Sequence, residues 1–342
     1  MDLALRSPYP YPGGKSRVAA EVWRRLGNPS YFVEPFFGSG AVLLARPHRG
    51  RAETANDLDG FIANFWRAVS EDPEAVAAFC DWPIFEADLL ARHQWLRDKA
   101  PELQERVKTD PHYFDAKIAG WWVWGLCQWI GSGWCAERRD GHGISIGRGG
   151  KGVHAQKLTM HPKGVHKKPR VLHPGSGVHR TRAAGSPTGV NRTSVRRDTL
   201  IAWFGELQGR LCKTKVLCGD FRRVLTPGTT TGRWESIGVF LDPPYDPKRR
   251  RRHLYNQDPS GVAEQARAWC LENGTDERFR ICLCGLRGEH SDLENAGWKV
   301  LDWKRNSGLW GSASSESMWF SPGCADPEWY EQPGGLFDGG DA

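Results

Sequence analysis

Apolar positions follow two regimes along the chain. Residues 1–70 and 201–320 alternate short strand-like runs with helix-like periods, with turn residues between them. The strand-like runs are 31–34, a stretch ending near Asp57, 216–218, 237–241, 280–284, 298–303 and 317–320. Beyond Ser260, which is placed as a helix cap, Val262, Ala266, Trp269 and Cys270 fall on one helical face, and Asn273-Gly274 ends the pattern. Residues 71–200 differ: they hold helical stretches, an aromatic run from Trp121 to Ile130, and a long segment with almost no apolar period. The density of Trp121, Trp122, Trp124 and Trp129 predicts a buried helix, although Trp134, beyond Gly131-Ser132-Gly133, could also stack on bases. Strand–helix alternation at both ends predicts one α/β sheet interrupted by an insertion. The expected organisation is a discontinuous catalytic block, 1–70 and 201–322, with an inserted recognition region at 71–200 and a flexible tail at 323–342.

Composition narrows the class. At 342 residues the chain is one large domain or two ordinary ones, and 39% hydrophobic content excludes wholesale disorder. The longest apolar run, 118–130, is too short for a bilayer, and the N-terminus lacks a charged-then-apolar signal region. Nine cysteines, an odd number with no paired C-x-x-C motifs, argue against a disulfide scaffold and a zinc ribbon. The expectation is a soluble cytoplasmic protein without a membrane or metal partner, monomeric or weakly dimeric.

The net charge of +7 is unevenly spread. Residues 138–197 carry 14 Lys+Arg against the single acid Asp140, so the remainder of the chain is net negative. A charge run is usually a solvated face, yet clustered cations on Gly-rich backbone also gain affinity for phosphates through counterion release. Arg148, Lys151, Lys163, Lys167, Lys168, Arg170, Arg180 and Arg182 are the candidate DNA contacts. Six of the eleven histidines share this segment, but in Gly-rich coil rather than at i, i+4 spacing, which disfavours a metal site. The Gly-Val-His recurrences at 152, 164 and 177 are too few for a solenoid.

Four constellations carry chemistry. In Tyr31-Phe32-Val33-Glu34-Pro35-Phe36-Phe37-Gly38-Ser39-Gly40 an apolar strand runs into a Gly-x-Gly turn and opens a helix, where backbone N–H groups can approach a ligand. Asn56-Asp57-Leu58-Asp59 follows about 20 residues later, the distance at which a carboxylate at a second strand's tip accepts ribose hydroxyls. Asp59 before Gly60 also suits a helix N-cap. Asp242-Pro243-Pro244-Tyr245 ends an apolar strand with a carboxylate and a Pro carbonyl, two fixed acceptors for an exocyclic amine, plus a flat ring for a planar base. Finally, Tyr9-Pro10-Tyr11-Pro12-Gly13-Gly14-Lys15-Ser16 superficially suggests a P-loop, but lacks its leading glycine and spacing. Cys218-Gly219-Asp220-Phe221 ends another strand with a polar group and a ring, suited to an adenine moiety.

Assembled in this order, and with the closing Glu316-Ser317-Met318-Trp319-Phe320-Ser321-Pro322, residues 9–70 and 211–322 resemble the Dam-type N6-adenine DNA methyltransferases, particularly phage-encoded members. The resemblance implies a Rossmann-like α/β methyltransferase sheet with an inserted target-recognition domain, S-adenosylmethionine as methyl donor, double-stranded DNA as partner, and a bacterial or phage-infected cytoplasm. It places Tyr11, Gly13, Gly14 and Lys15 near the methionine end of the cofactor, with Glu34, Pro35, Phe36, Gly38 and Gly40 around it. Asp57 falls on the ribose, Asp220 and Phe221 at the cofactor's adenine, and Asp242 beside the reacting methyl, on the target amine, with Pro243, Pro244 and Tyr245 completing the catalytic set. The middle of the chain does not resemble the recognition domain of the bacterial maintenance enzymes, so no target sequence carries over. Two other readings remain: N4-cytosine methylation, which usually has Ser at position 242, and a non-catalytic DNA-binding protein retaining the fold. RNA or protein-glutamine methylation typically prefers Asn there.

Overall fold

The computed structural model describes residues 5–11, 13–47, 51–83, 85–129, 134–135, 192–230, 234–245, 261–304 and 315–325. Among these, seven strands form a single sheet: β1 (Tyr31–Glu34), β2 (Ala52–Asp57), β3 (Thr214–Cys218), β4 (Ile237–Leu241), β5 (Phe279–Leu286), β6 (Lys299–Lys304) and β7 (Ser315–Phe320). Their spatial order is β3-β2-β1-β4-β5-β7-β6. The five strands β1–β5 pair in parallel, whereas β7 runs antiparallel to both β5 and β6. This is the mostly parallel, Rossmann-like α/β sheet that the alternating pattern predicts. All seven expected strands are present, each within a few residues of its apolar run.

Parallel strands are covered on both faces, so they read as unbroken apolar runs. The period of two then sorts each side chain to one face. Phe32, Phe240, Cys282, Cys284, Met318 and Phe320 point to one core; Val33, Val239, Leu241, Ile281, Leu283 and Trp319 point to the other. The first core is roofed by α1 (Ala19–Leu26), α2 (Ala41–Leu44), α3 (Gly60–Glu71), α4 (Pro73–Cys80), α5 (Glu86–Thr109), α6 (Ala116–Gln128) and α7 (Arg192–Leu211). The second lies under a 3₁₀ turn (Phe221–Val224), α9 (Val262–Asn273) and α10 (Ser291–Asn295), a single helical turn, α8 (Pro227–Thr230), intervening in sequence.

The tryptophan-rich run is the buried helix its density predicts, α6, with Trp122 and Trp124 fully enclosed and Trp134 packed in the same core. Asp115 caps it by accepting from Ile118 N. Helices α4 to α7 pack on α3 and on one another. At the chain's return, Arg210 of α7 donates two hydrogen bonds to Glu53 of β2 (2.7 and 2.9 Å) and one to Leu43 O (2.6 Å). Arg46 and Thr214 complete the Glu53 shell at 3.0 and 2.8 Å. Burial alone would raise the Glu53 carboxyl, but these donors, Arg210 foremost, hold it below the usual carboxylate range.

Two local expectations change. The helix after the glycine turn is only one turn long, Ala41–Leu44, and Pro47, which disfavours helical backbone at Arg46 before it, limits its extension. Its dipole is therefore small, and the individual N–H groups of the turn are the available donors. At α9 the N-cap position is Gly261, at φ +79°, rather than Ser260, which lies outside the described residues. Outside them too are Pro12, Ile130 and the eight basic candidates Arg148, Lys151, Lys163, Lys167, Lys168, Arg170, Arg180 and Arg182. Among the described residues, no helix is long and apolar enough to cross a membrane.

Candidate active site at the strand-order switch

Strand order reverses between β1 and β4, and a crevice opens beyond the carboxyl ends of strands at such a switch. An open cleft enclosing about 900 Å³ lies here, solvent included. It is lined by Tyr11, Gly13, Gly14, Lys15, Glu34, Pro35, Phe36, Gly38, Asp57, Asp220, Phe221, Asp242 and Pro244 among others. Five segments separate in sequence are thus brought to one cleft. Of the residues anticipated for the site, Gly40 does not line the cleft; at φ +68° it instead turns the chain into α2. Pro243 and Tyr245 are buried and are likewise not part of the lining.

The glycine turn is pinned from both sides. Gly38, at φ +47°, donates its N–H to Asp57 Oδ2 (2.9 Å), and its carbonyl accepts from Tyr9 OH (2.7 Å) and Trp66 Nε1 (3.1 Å). A side chain at 38 would collide with the Tyr11 ring, 2.8 Å from an ideal Cβ. Tyr9 is itself wedged against Trp122 and Phe65, with ring centroids 5.1 and 5.2 Å away, so the turn leans on the aromatic layer. Buried Asn56 ties the neighbouring turns together by donating to Pro35 O (3.1 Å) and Gly219 O (2.9 Å).

Asp57 accepts from Gly38 N and, through Oδ1, from Asp59 N at 3.0 Å, while Asp59 caps α3 by accepting from Phe61 N at 2.9 Å. Both aspartates line the cleft, and Asp59 also fills the capping role that its place before Gly60 suggests. Burial dominates these backbone donors and pushes the Asp57 carboxyl up to about 7. Burial also raises Glu34 well above the carboxylate range, despite the bond it accepts from Leu43 N (3.0 Å). At the tip of β3, Asp220 caps the 3₁₀ turn and pairs with the Arg222 guanidinium at 2.8 Å. The Phe221 ring sits 5.1 Å from that of Phe36, giving the cleft an apolar floor.

Beyond β4 the charged groups converge. The Lys15 ammonium donates to Asp242 Oδ2 (2.6 Å), Gly13 O (2.7 Å) and Tyr245 OH (3.1 Å). Tyr245 OH lies 3.2 Å from Asp242 Oδ1 and 3.3 Å from Glu316 Oε2, and Glu316 is 3.6 Å from the ammonium. Burial would lower the Lys15 ammonium, but the Asp242 and Glu316 carboxylates outweigh it and hold the group above its ordinary value. Asp242 moves up, burial outweighing the opposing pull of Lys15. The sequence singled out Lys15, Asp242 and Tyr245 but quoted Glu316 only within a closing segment. Tyr9, Trp66 and Asn56 were likewise not assigned to the site, since their work is holding backbone. Among the described residues, no group of three or more His, Cys, Asp or Glu side chains is disposed to hold a metal ion.

A glycine turn after β1, a carboxylate ending β2 and an Asp-Pro-Pro-Tyr ending β4 therefore share one cleft. Residues 11–101 match the D12 class N6 adenine-specific DNA methyltransferase family. The matched D12 span holds Tyr11, Lys15, the Gly38 turn and Asp57, then runs on through α4 into α5. It ends before Asp242-Pro243-Pro244-Tyr245, which joins it by folding rather than by sequence. The D12 match supports DNA methyltransferase activity and bears out the resemblance carried by the motifs. No curated protein matches the chain.

Proposed function

We propose that the chain transfers a methyl group from S-adenosylmethionine to the N6 amine of adenine in double-stranded DNA, the base being flipped out of the duplex to reach the cleft. The observation that carries this reading is the position of Asp242: paired with Lys15 on the wall of the cleft that the glycine turn and Asp57 also line. The residues present suit the cofactor. Asp57 offers a carboxylate to ribose hydroxyls, and Asp220 and Phe221 offer an acceptor and a ring to its adenine. Lys15 and the Gly38 turn would hold its methionine end. When bound, S-adenosylmethionine supplies a methyl carbon already activated by its positive sulfur.

The chain's own residues handle the amine. Adenine's exocyclic nitrogen is a weak nucleophile because its lone pair is delocalised into the ring. Asp242 on the cleft wall accepts one N–H group, and the carbonyl of Pro243, next in the chain although its ring is buried outside the lining, is proposed to accept the other. Together they draw the nitrogen toward tetrahedral geometry and free the lone pair. A carbon–nitrogen bond forms as the carbon–sulfur bond breaks, its electron pair staying on sulfur. The surplus proton then leaves nitrogen, and Asp242, whose basicity burial has raised, is the adjacent acceptor. Positioning and fixed dipoles carry the step. Extruding the base costs a few kcal/mol, part of which contacts in the cleft offset.

Residues 71–200 are proposed to supply DNA contact, the basic segment neutralising phosphates. The deciding experiment adds the chain to unmodified DNA with labelled S-adenosylmethionine and locates the label by sequencing. Label on adenine N6 at a recurring site supports the reading; label on cytosine, or none, overturns it. Neutralising Lys167, Lys168 and Arg170 together should weaken binding and flatten the slope of log K against log salt by about 0.9 per lost phosphate contact. An unchanged slope returns that segment to a solvated linker.

A further inference from the structure

The ammonium of Lys15 has three hydrogens, and Gly13 O, Asp242 Oδ2 and Tyr245 OH take all three. In this arrangement both Asp242 oxygens are engaged, Oδ2 by Lys15 and Oδ1 by Tyr245. Each oxygen keeps a second lone pair, so an incoming amine shares the carboxylate with donors already in place, and each donor that shifts away strengthens its hold. Lys15 is 3% exposed, and a cation so enclosed cannot be left without a carboxylate partner. A second carboxylate stands ready on β7: Glu316, 1% exposed and not part of the cleft lining, 3.6 Å from the ammonium. The Tyr245 hydroxyl lies nearly equidistant from the two acids, at 3.2 and 3.3 Å, and its one proton serves one of them at a time.

We propose that Glu316 is a positioning residue for methyl transfer: it takes over the Lys15 ammonium and the Tyr245 hydroxyl when the target amine engages Asp242. The inference rests on the reading of Asp242 as the amine's acceptor. Asp242 faces the ligand and Glu316 faces the protein, so a small displacement of one lysine and one hydroxyl exchanges an internal salt bridge for a substrate contact. Net charge stays constant throughout.

The test compares four chains, the unsubstituted protein, Glu316→Gln, Lys15→Met and the double variant, in methyl transfer from labelled S-adenosylmethionine to DNA. Calorimetry of cofactor binding runs alongside. Glu316→Gln should lower kcat by about tenfold or more with KM for DNA and cofactor affinity held within about threefold. In the Lys15→Met background, already impaired, the same substitution should cost less than about twofold, because no ammonium remains to be received. Glu316→Asp should recover part of the rate. An equal loss in both backgrounds marks a merely structural role and overturns the proposal, as does undiminished turnover by Glu316→Gln. Should Glu316→Gln fail to fold by circular dichroism, Glu316→Asp carries the same comparison in both backgrounds. If the unsubstituted chain methylates no adenine, the functional reading itself fails and the proposal falls with it, an outcome visible before any variant is made.

Discussion

Two buried ion clusters sit at opposite ends of the same sheet, and they are balanced differently. Near the amino end of β2, Glu53 meets two guanidinium groups and a hydroxyl, and its carboxyl is held low. Beyond the carboxyl end of β4, one ammonium serves two carboxylates, and Asp242 is pushed up. The first cluster has every Glu53 oxygen answered and clasps the returning helix α7 to the sheet. In the second, Asp242 accepts from Lys15 and Tyr245 and lines the cleft, whereas Glu316 does not line it. A cluster closed within the core marks a fastening; one whose carboxylate lines a cavity marks a place prepared for a ligand with N–H groups.

The largest expected effect falls on the fastening. Arg210→Ala strands Glu53 in the core and should cost about 3–5 kcal/mol in urea unfolding. Methyl transfer per folded molecule should change little; a variant equally stable would remove the distinction between the two clusters. Asp242→Ala should do the reverse, lowering transfer by about 10²–10³-fold while cofactor affinity and the urea midpoint stay near those of the parent. Calorimetry and a labelled-methyl assay on one preparation check both halves. The smallest effect sits at Asp57. With its carboxyl at about 7, the ionised acceptor dominates at pH 8 and the protonated form at pH 6, so S-adenosylmethionine affinity should fall about tenfold between them. The sign is opposite for stability. A carboxyl raised from 3.8 to about 7 on folding binds more protons in the native state, so its contribution diminishes as pH climbs through that interval and is flat above it. Asp57→Asn should flatten both profiles, and a persistent slope would assign them to another group.

Strands such as β1 and β4 were legible because covered parallel strands are written as apolar runs closed by Pro or Asp, whereas β2, Ala52–Asp57, is mostly polar and showed itself only by its end at Asp57. Runs such as 31–34 and 237–241 coincide with β1 and β4 to the residue. The cleft was legible in its parts, since a glycine turn, Asp57 and Asp242 each announce themselves beside a strand end. The joins between parts were not. Lys15 follows a Gly-Gly pair that is only superficially a P-loop, and its partner Asp242 lies 227 residues away, beyond any local pattern. Glu316 is one acid inside an edge-directed strand, and its contact with Tyr245 spans 71 residues. Tyr245 reads as a stacking ring, yet its hydroxyl is what the structure employs. Glu53 and Arg210 likewise meet only through the fold, across 157 residues. Short-range pattern specifies elements; the pairing of distant charges depends on which strand ends become neighbours.

The peptide at Gly38 hangs between a carboxylate on one side and a phenol and an indole on the other, and that phenol is jammed against the tryptophan of α6. Pressure on the turn is thereby passed to helices more than eighty residues further along the chain. Filling the cleft should slow amide exchange in α6, and loosening α6 should blunt cofactor uptake.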